Sequence, residues 1–241
     1  MNVTLIGSKE DYVCRKIAEH YNIGIINNVN DFGRHCFDVD VLIIDGNNTT
    51  QWRMDEILTL ARYRAVKKII YLSTGKVYGN KTDFPSEPEF KPDLLSTTII
   101  NTYVGELYCG LFNKNNGLKC VVLRLFDVYG DDEKISIVQE LLNGDAMLEV
   151  SPTAIRDFVH IDDVLNIVKY YVEKGSFNFD VVNVATGVET KISDLVKKTN
   201  SNVTYAGGKI EKMCGAIEEL KFIGIEPKIN LNKWLEGKTK C

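Results

Sequence analysis

Ser73 and Thr74, followed by Lys76 and Tyr78, lie within ten residues of one another in the stretch IIYLSTGKVYG, residues 69–79. A hydroxyl can orient a substrate, a desolvated lysine can take a proton, and a phenol can give one. The stretch begins after Lys67 and Lys68 as a β-branched run and breaks into a Gly-containing loop. This reads as a buried parallel strand that ends in a functional loop. In open α/β sheets ligands sit outside the carboxyl ends of strands, which makes Thr74 and Lys76 candidate catalytic groups. The plainer reading of the same residues is a strand end capped by small polar side chains.

Positioning these residues requires an alternating βα chain. Asn2–Ile6 and Gly7 read as a first strand and turn, and Tyr12–Tyr21 runs at helical spacing. A second strand, Ile23–Ile26, ends in Asn27 and Asn28, and a third, Val39–Ile44, ends in Asp45 and Gly46. A helix from Trp52 to Arg64, with Met54, Ile57, Leu58 and Ala61 on its apolar stripe, leads into the strand of the hydroxyl pair. Helix followed by strand fits a right-handed crossover. Beyond Gly79 comes a polar stretch with Pro85, Pro88 and Pro92, then a helical pattern from about Thr97 to Asn113. The remainder reads as a strand over Leu118–Phe126, a short helix over Ile135–Leu142, a helix over Asp163–Val172, a strand over Val181–Val184 and a helix over Ile192–Lys198.

Composition narrows the partners. With 241 residues and 44% hydrophobic content the chain can bury one substantial core. Its 29 basic and 33 acidic residues are well mixed and give a net charge of -4, which argues against nucleic acid or an anionic membrane as partner. The six cysteines form no C-x-x-C pair, and no apolar run reaches the roughly 18 residues of a membrane span. These features imply a reduced, cytoplasmic protein. His20, His35 and His160 have no ligand spacing with a Cys or carboxylate, so no metal site is expected.

The nine residues RDFVHIDDV, 156–164, resemble a motif of the NAD-dependent nucleotide-sugar epimerase/dehydratase family, the extended short-chain dehydrogenases/reductases. The opening stretch is similar to the family's vSSxxvYG, VVLRLFDVYG to its lRxfNvYGP, and LKFIGIEPKINL to its closing LGxxPxxxL. The resemblance spans essentially the whole chain. It places Thr74 at the family's catalytic Ser or Thr, Arg156 at a contact to the substrate diphosphate, and Tyr78 and Asp127 at substrate-binding positions. Asp127 stands where the family has Asn. His160 reads as structural, and Asp162 and Asp163 as the opening of a helix, where carboxylates suit the dipole.

The resemblance also implies NAD or NADP as cofactor, with Gly7 and Lys9 as its binding residues. The family's G-x-x-G-x-x-G turn survives here only as Gly7, with Glu10 and Val13 in the other two places. Glu10 and Asp11 put carboxylates where a pyrophosphate would meet the positive end of a helix, and Lys9 offsets part of that charge. Asp45 adds another acid to the same crevice, and the chain between the second and third strands is too short for the strand and loop with which the family holds adenine. With the register set by Arg124 and Glu106, the family's catalytic Tyr and Lys fall on Thr98 and Thr102; a one-residue slip gives Thr97 and Asn101. Gly75 and Lys76 replace the Asp-Glu pair of the dehydratases. Tyr103 shares its helix with Ile100, Val104 and Leu111 and reads as core.

The expected fold is therefore an α/β doubly wound parallel sheet, Rossmann-like, with a small, shortened C-terminal substrate lobe. Its boundaries are a Rossmann-like lobe of about 1–126 plus 156–185 and a substrate lobe of about 127–155 plus 186–241 in one two-lobed unit. The leading functional reading is a family member with a degenerate redox site that binds a nucleotide sugar or a partner enzyme. Its rivals are an active enzyme with relocated groups, Lys76 as base and Tyr78 or Tyr103 as acid, and a purely structural or interaction subunit. A homodimer is expected on the helices Thr97–Asn113 and Trp52–Arg64. The first carries Ile99, Ile100, Tyr103, Val104, Leu107, Tyr108, Leu111 and Phe112, a set too wide for one sheet contact, and relatives pair these helices with their two-fold copies.

Overall fold

The computed structural model describes residues 1–27, 29–35, 38–49, 51–79, 96–134, 136–173, 180–207 and 212–238. The expected stretch with Pro85, Pro88 and Pro92 lies outside the described residues, as do Asn28 and Ile135.

β1 (Val3–Ile6), α1 (Tyr12–Tyr21) and β2 (Ile25–Ile26) open the chain. Asp11 caps α1 by accepting the Cys14 N–H at 2.8 Å, and Asn22, left-handed at φ 51°, closes it. The second strand is shorter than its sequence pattern suggests. A helix, α2 (Val29–His35), follows it and buries Phe32 before β3 (Val41–Asp45) begins. α3 (Gln51–Tyr63) leads to β4 (Lys68–Thr74), and a 3-10 turn, Gly75–Tyr78, tightens the loop expected there. α4 (Thr97–Asn116) starts where the Ser96 hydroxyl accepts the Ile99 N–H at 3.3 Å. It runs past Asn113 until Gly117, at φ 66°, terminates it.

β5 (Lys119–Leu125), β6 (Asp127–Tyr129), α5 (Ile137–Leu142) and β7 (Asp145–Leu148) come next. The motif at residues 156–164 spans β8 (Ile155–Arg156), β9 (Phe158–His160) and the first turn of α6 (Ile161–Glu173), with Asp162 and Asp163 in that turn as expected. The chain closes with β10 (Asp180–Val184), β11 (Thr190–Lys191), α7 (Ile192–Thr199), β12 (Asn202–Tyr205), β13 (Lys212–Met213), α8 (Glu218–Phe222) and α9 (Leu231–Lys238).

Six strands form the main sheet in the order β10-β5-β4-β3-β1-β2, with β1–β2, β1–β3 and β3–β4 pairing in parallel. The chain leaves β1 for β2 on one side and returns to β3 on the other. That is the doubly wound arrangement, and it sets a switch point at the carboxyl ends of β1 and β3. All five residues of β3 are buried, as are the inner five of β4, which explains why both read as continuous apolar runs rather than alternating ones.

The chain divides into two compact units. One comprises Met1–Val77, Ser96–Arg124 and Leu165–Val182; the other holds Tyr78, Leu125–Val164 and the residues from Asn183 onward. In the first, Ile44, Met54, Ile57, Leu58, Ile69, Tyr71, Cys109 and Phe112 share one apolar cluster. α4 turns Ile99, Thr102, Gly105, Glu106, Cys109 and Phe112 inward and leaves Ile100, Leu107 and Leu111 exposed. In the second, β6 pairs with β9 in parallel, and Tyr129, Phe158, Leu141, Leu195 and Leu235 cluster together. Among the described residues no helix is long and apolar enough to cross a membrane.

Candidate functional site

Gly7 follows β1 at the switch point. A Cβ there would lie 2.7 Å from the Cys14 sulfur and 2.9 Å from the Asp45 Cβ, so glycine is needed for the protein's own packing. The Asp11 cap already occupies part of the N–H array that α1 would present to a phosphate. Asp45 is buried, accepts the Asn47 N–H at 3.0 Å and bonds the Asn48 amide. Burial, and then the nearby charge of Asp11, push its carboxyl above the usual range. The Cys14 thiol is pushed up for the same reasons, burial first and Asp45 second. Asp11, Cys14 and Asp45 bring one ligand atom each within 4.8 Å of one another, but the two carboxylates serve as caps for α1 and for the turn after β3. Lys9 is exposed.

Beside this turn opens a cavity of about 320 Å³, lined by Ile6, Gly7, Ser8, Asn27, Asn48, Thr49, Arg53 and Ile57. It lies at the carboxyl ends of β1, β2 and β3. Sequence reasoning missed Arg53. The signal available was a basic residue in the first turn of α3, where no acidic residue stands and where the helix dipole disfavours a cation.

At the end of β4, Ser73 and Thr74 part company. Ser73 is buried and its hydroxyl bonds Glu106, which in turn accepts from Arg124 at 3.0 and 2.6 Å. The two residues that fixed the sequence register thus form a buried ion pair. Thr74 is half-buried, and its hydroxyl accepts the Lys76 N–H at 3.3 Å; Lys76 is exposed. On α4, Thr98 is exposed, whereas Thr102 is fully buried with its hydroxyl 3.0 Å from the Thr98 carbonyl and 3.2 Å from the Gly46 carbonyl. Tyr103 is half-buried.

In the second unit, the Arg156 Nε lies 3.7 Å from an Asp127 carboxylate oxygen, and its Nη1 donates to the Ile155 carbonyl at 3.0 Å. The Arg156 side chain is only 6% exposed, that of Asp127 20%. Tyr78, read from the sequence as a substrate contact, is buried and donates its hydroxyl to Asn183 at 2.7 Å. Asp157 is buried among donors: the Thr186 N–H at 2.8 Å, the Thr186 hydroxyl at 2.6 Å, the Gly187 N–H at 2.8 Å and the Gly215 N–H at 3.3 Å. Burial nonetheless raises its pKa. His160 accepts the Asp162 N–H at 3.1 Å, packs edge-on to Tyr129, and has its pKa lowered by burial. Asp163 accepts the Ile229 N–H at 2.9 Å, pinning the segment ahead of α9.

The sequence matches the model of the NAD dependent epimerase/dehydratase family over residues 44–185, more than half of the chain, and the protein belongs to that family. It is 25% identical over 230 residues to a putative UDP-glucose 4-epimerase of Methanocaldococcus jannaschii, covering 88% of this chain and 72% of that protein. It is 29% identical over 192 residues to the ADP-L-glycero-D-manno-heptose-6-epimerase of Brachyspira hyodysenteriae, covering 68% of this chain and 60% of that one. Among solved structures, the dTDP-glucose 4,6-dehydratase of Streptomyces venezuelae with NAD bound superposes with a TM-score of 0.86 at 12% identity, over 100% of this chain and 96% of that one. The UDP-glucose 4-epimerase of Thermotoga maritima with UDP-glucose does so at 0.81 and 20% identity, over 100% and 98%. At such identities these structures speak for the fold.

Proposed function

We propose that this chain is a nucleotide-sugar-binding member of its family in which the family's hydride chemistry has been lost. The observation that carries the reading is on α4. Thr98 and Thr102 occupy the positions that the sequence register sets against the catalytic Tyr and Lys, and the Thr102 hydroxyl lies against two backbone carbonyls. Threonine lacks both the phenol that would exchange a proton and the cation that would lower its pKa.

The fit to a dinucleotide cofactor fails at its centre. The α1 turn places the Asp11 cap and the buried Asp45 beside Gly7, where a pyrophosphate would need N–H donors and no carboxylate. NAD, when bound in a relative, supplies hydride transfer; nothing in this chain's α4 prepares a sugar hydroxyl for it. Arg156 supports retained recognition of a diphosphate, and Thr74 and Lys76 supply a hydroxyl and an ammonium at the end of β4.

Calorimetry with UDP-glucose, NAD and NADP, together with an assay for conversion of UDP-glucose to UDP-galactose in the presence of NAD, tests the reading. The expected result is saturable UDP-glucose binding, no micromolar binding of either dinucleotide, and no conversion. Turnover at a rate ordinary for such enzymes would overturn it.

A further inference from the structure

We propose that His160 is a pH-responsive latch on α9: its neutral ring holds this helix against the second unit, and protonation of the ring releases it. The inference is independent of which ligand the chain binds.

The geometry requires a particular state of the ring. His160 ends β9 directly ahead of α6, and its Nδ1 accepts the Asp162 N–H at 3.1 Å. An imidazole nitrogen that accepts is unprotonated, so the ring is the neutral tautomer with its proton on Nε2. Nε2 is buried and meets no hydrogen-bond partner among the described residues. A second proton has to go onto Nδ1. There it turns the acceptor into a donor facing the Asp162 N–H, and it sets a positive charge at the start of α6, the end of a helix that disfavours one. The Asp162 carboxylate lies 3.6 Å from Nδ1, but that side chain is 65% exposed, where an ion pair contributes little.

The ring also joins three elements. His160 is buried, with its ring edge-on to Tyr129 at 5.1 Å between centroids and to Trp234 of α9 at 6.0 Å; Tyr129 and Trp234 lie 5.2 Å apart. The Tyr129 hydroxyl donates to the Ile229 carbonyl at 3.2 Å, just ahead of α9. The charged groups that face the ring are Asp162 and Asp163 from α6, Asp131 after β6 and Lys238 from α9. Asp163 already accepts the Ile229 N–H at 2.9 Å, and Asp131 pairs with Lys238 at 2.6 Å. Burial outweighs the three carboxylates and holds the ring's pKa below 6.5, with Lys238 acting in the same direction.

The direction of the switch follows. The packed ring takes a proton less readily than the ring freed by opening, so the latch is at full strength above about pH 6.5 and weakens as the pH falls. Opening rises about tenfold for each pH unit below that point, until the packed ring itself titrates.

The test is hydrogen exchange by mass spectrometry on the full chain from about pH 8 to about pH 4.5, corrected for intrinsic rates, with NMR of the His160 ring alongside. Opening of peptides covering Ile229–Lys238 is expected to rise about tenfold per pH unit below about pH 6.5 and to level off where the His160 signals titrate, while peptides of α4 keep their protection. His160→Asn keeps an acceptor for the Asp162 N–H, does not titrate, and abolishes the rise. Should that variant fold poorly, the wild-type ring decides: Nε2–H at about pH 8 and titration below 6.5 at the levelling point support the latch. It is overturned by exchange of α9 that does not vary with pH, by a ring that titrates at or above 6.5, by a rise shared with α4, or by a rise that survives in folded His160→Asn.

Discussion

At the scale of single residues, the acids around the switch point and the arginine of the second unit each make a measurable difference. Arg156 is buried with Asp127 as its ion-pair neighbour. If it also contacts a diphosphate, Arg156→Ala weakens UDP-glucose by about 1.5–3 kcal/mol, the scale of a hydrogen bond to a charged group. Titration calorimetry reads this directly, and unchanged affinity would remove Arg156 from the site. Asp45 makes the opposite kind of contribution. Burial and Asp11 raise its pKa above 3.8, so the folded chain holds that proton more tightly than the unfolded one. Its contribution to stability is full below about pH 4 and is lost as the pH rises through the raised folded value. Asp45→Asn stays neutral throughout and keeps an oxygen for the Asn47 N–H. Its melting temperature is expected to exceed the wild type's at pH 7, with the gap closing at pH 4; a gap independent of pH would contradict the assignment.

At the scale of elements, the contact of α4 with β4 and β5 is set by polar and small residues rather than by apolar bulk alone. Gly105 faces the Tyr71 phenol, whose hydroxyl donates to the Thr102 carbonyl at 2.9 Å, so the helix approaches β4 closely only because no Cβ intervenes. The next residue, Glu106, joins Ser73 and Arg124 in a buried network. Removing one partner of a buried ion pair strands the other charge. Arg124→Ala is therefore expected to cost about 3–5 kcal/mol in chemical unfolding, while the double change Glu106→Leu with Arg124→Met recovers most of that loss. A single Arg124→Ala variant as stable as the wild type would show that the pair is solvated in solution.

At the scale of the whole molecule, the question is what covers α4. We propose a homodimer on this helix. Ile100, Leu107 and Leu111, at 40%, 54% and 50% exposure, form the outward stripe, and Tyr108 is half-buried against the chain's own core. Among its described side chains α3 adds Tyr63, at 89% exposure, but otherwise presents Arg53, Asp55, Glu56, Thr59 and Arg62 to solvent. A stripe of this kind on two copies is self-complementary about a two-fold axis. Light scattering at micromolar concentration should give twice the monomer mass. Leu107→Asp, at an exposed position that leaves the fold intact, should give the monomer; a wild-type monomer would reject the dimer.

What the sequence by itself determined is what local pattern encodes. The apolar runs of β3 and β4 and the motif at 156–164 were legible because each depends on neighbours in the chain, whereas the expected end of α4 at Asn113 fell short of its stop at Gly117. Arg124 and Glu106, from which the register was read, meet in a buried ion pair. What only the tertiary structure decided depends on distance in space. That Gly7 is small for the sake of Cys14 and Asp45, that Tyr78 turns into the core to bond Asn183, and that Arg53 lines the same cavity as Asn27 follow from strands and helices far apart in sequence packing side by side. Residue spacing carries no information about those contacts, because the sheet order β10-β5-β4-β3-β1-β2 that creates them is the outcome of burying all the apolar faces at once.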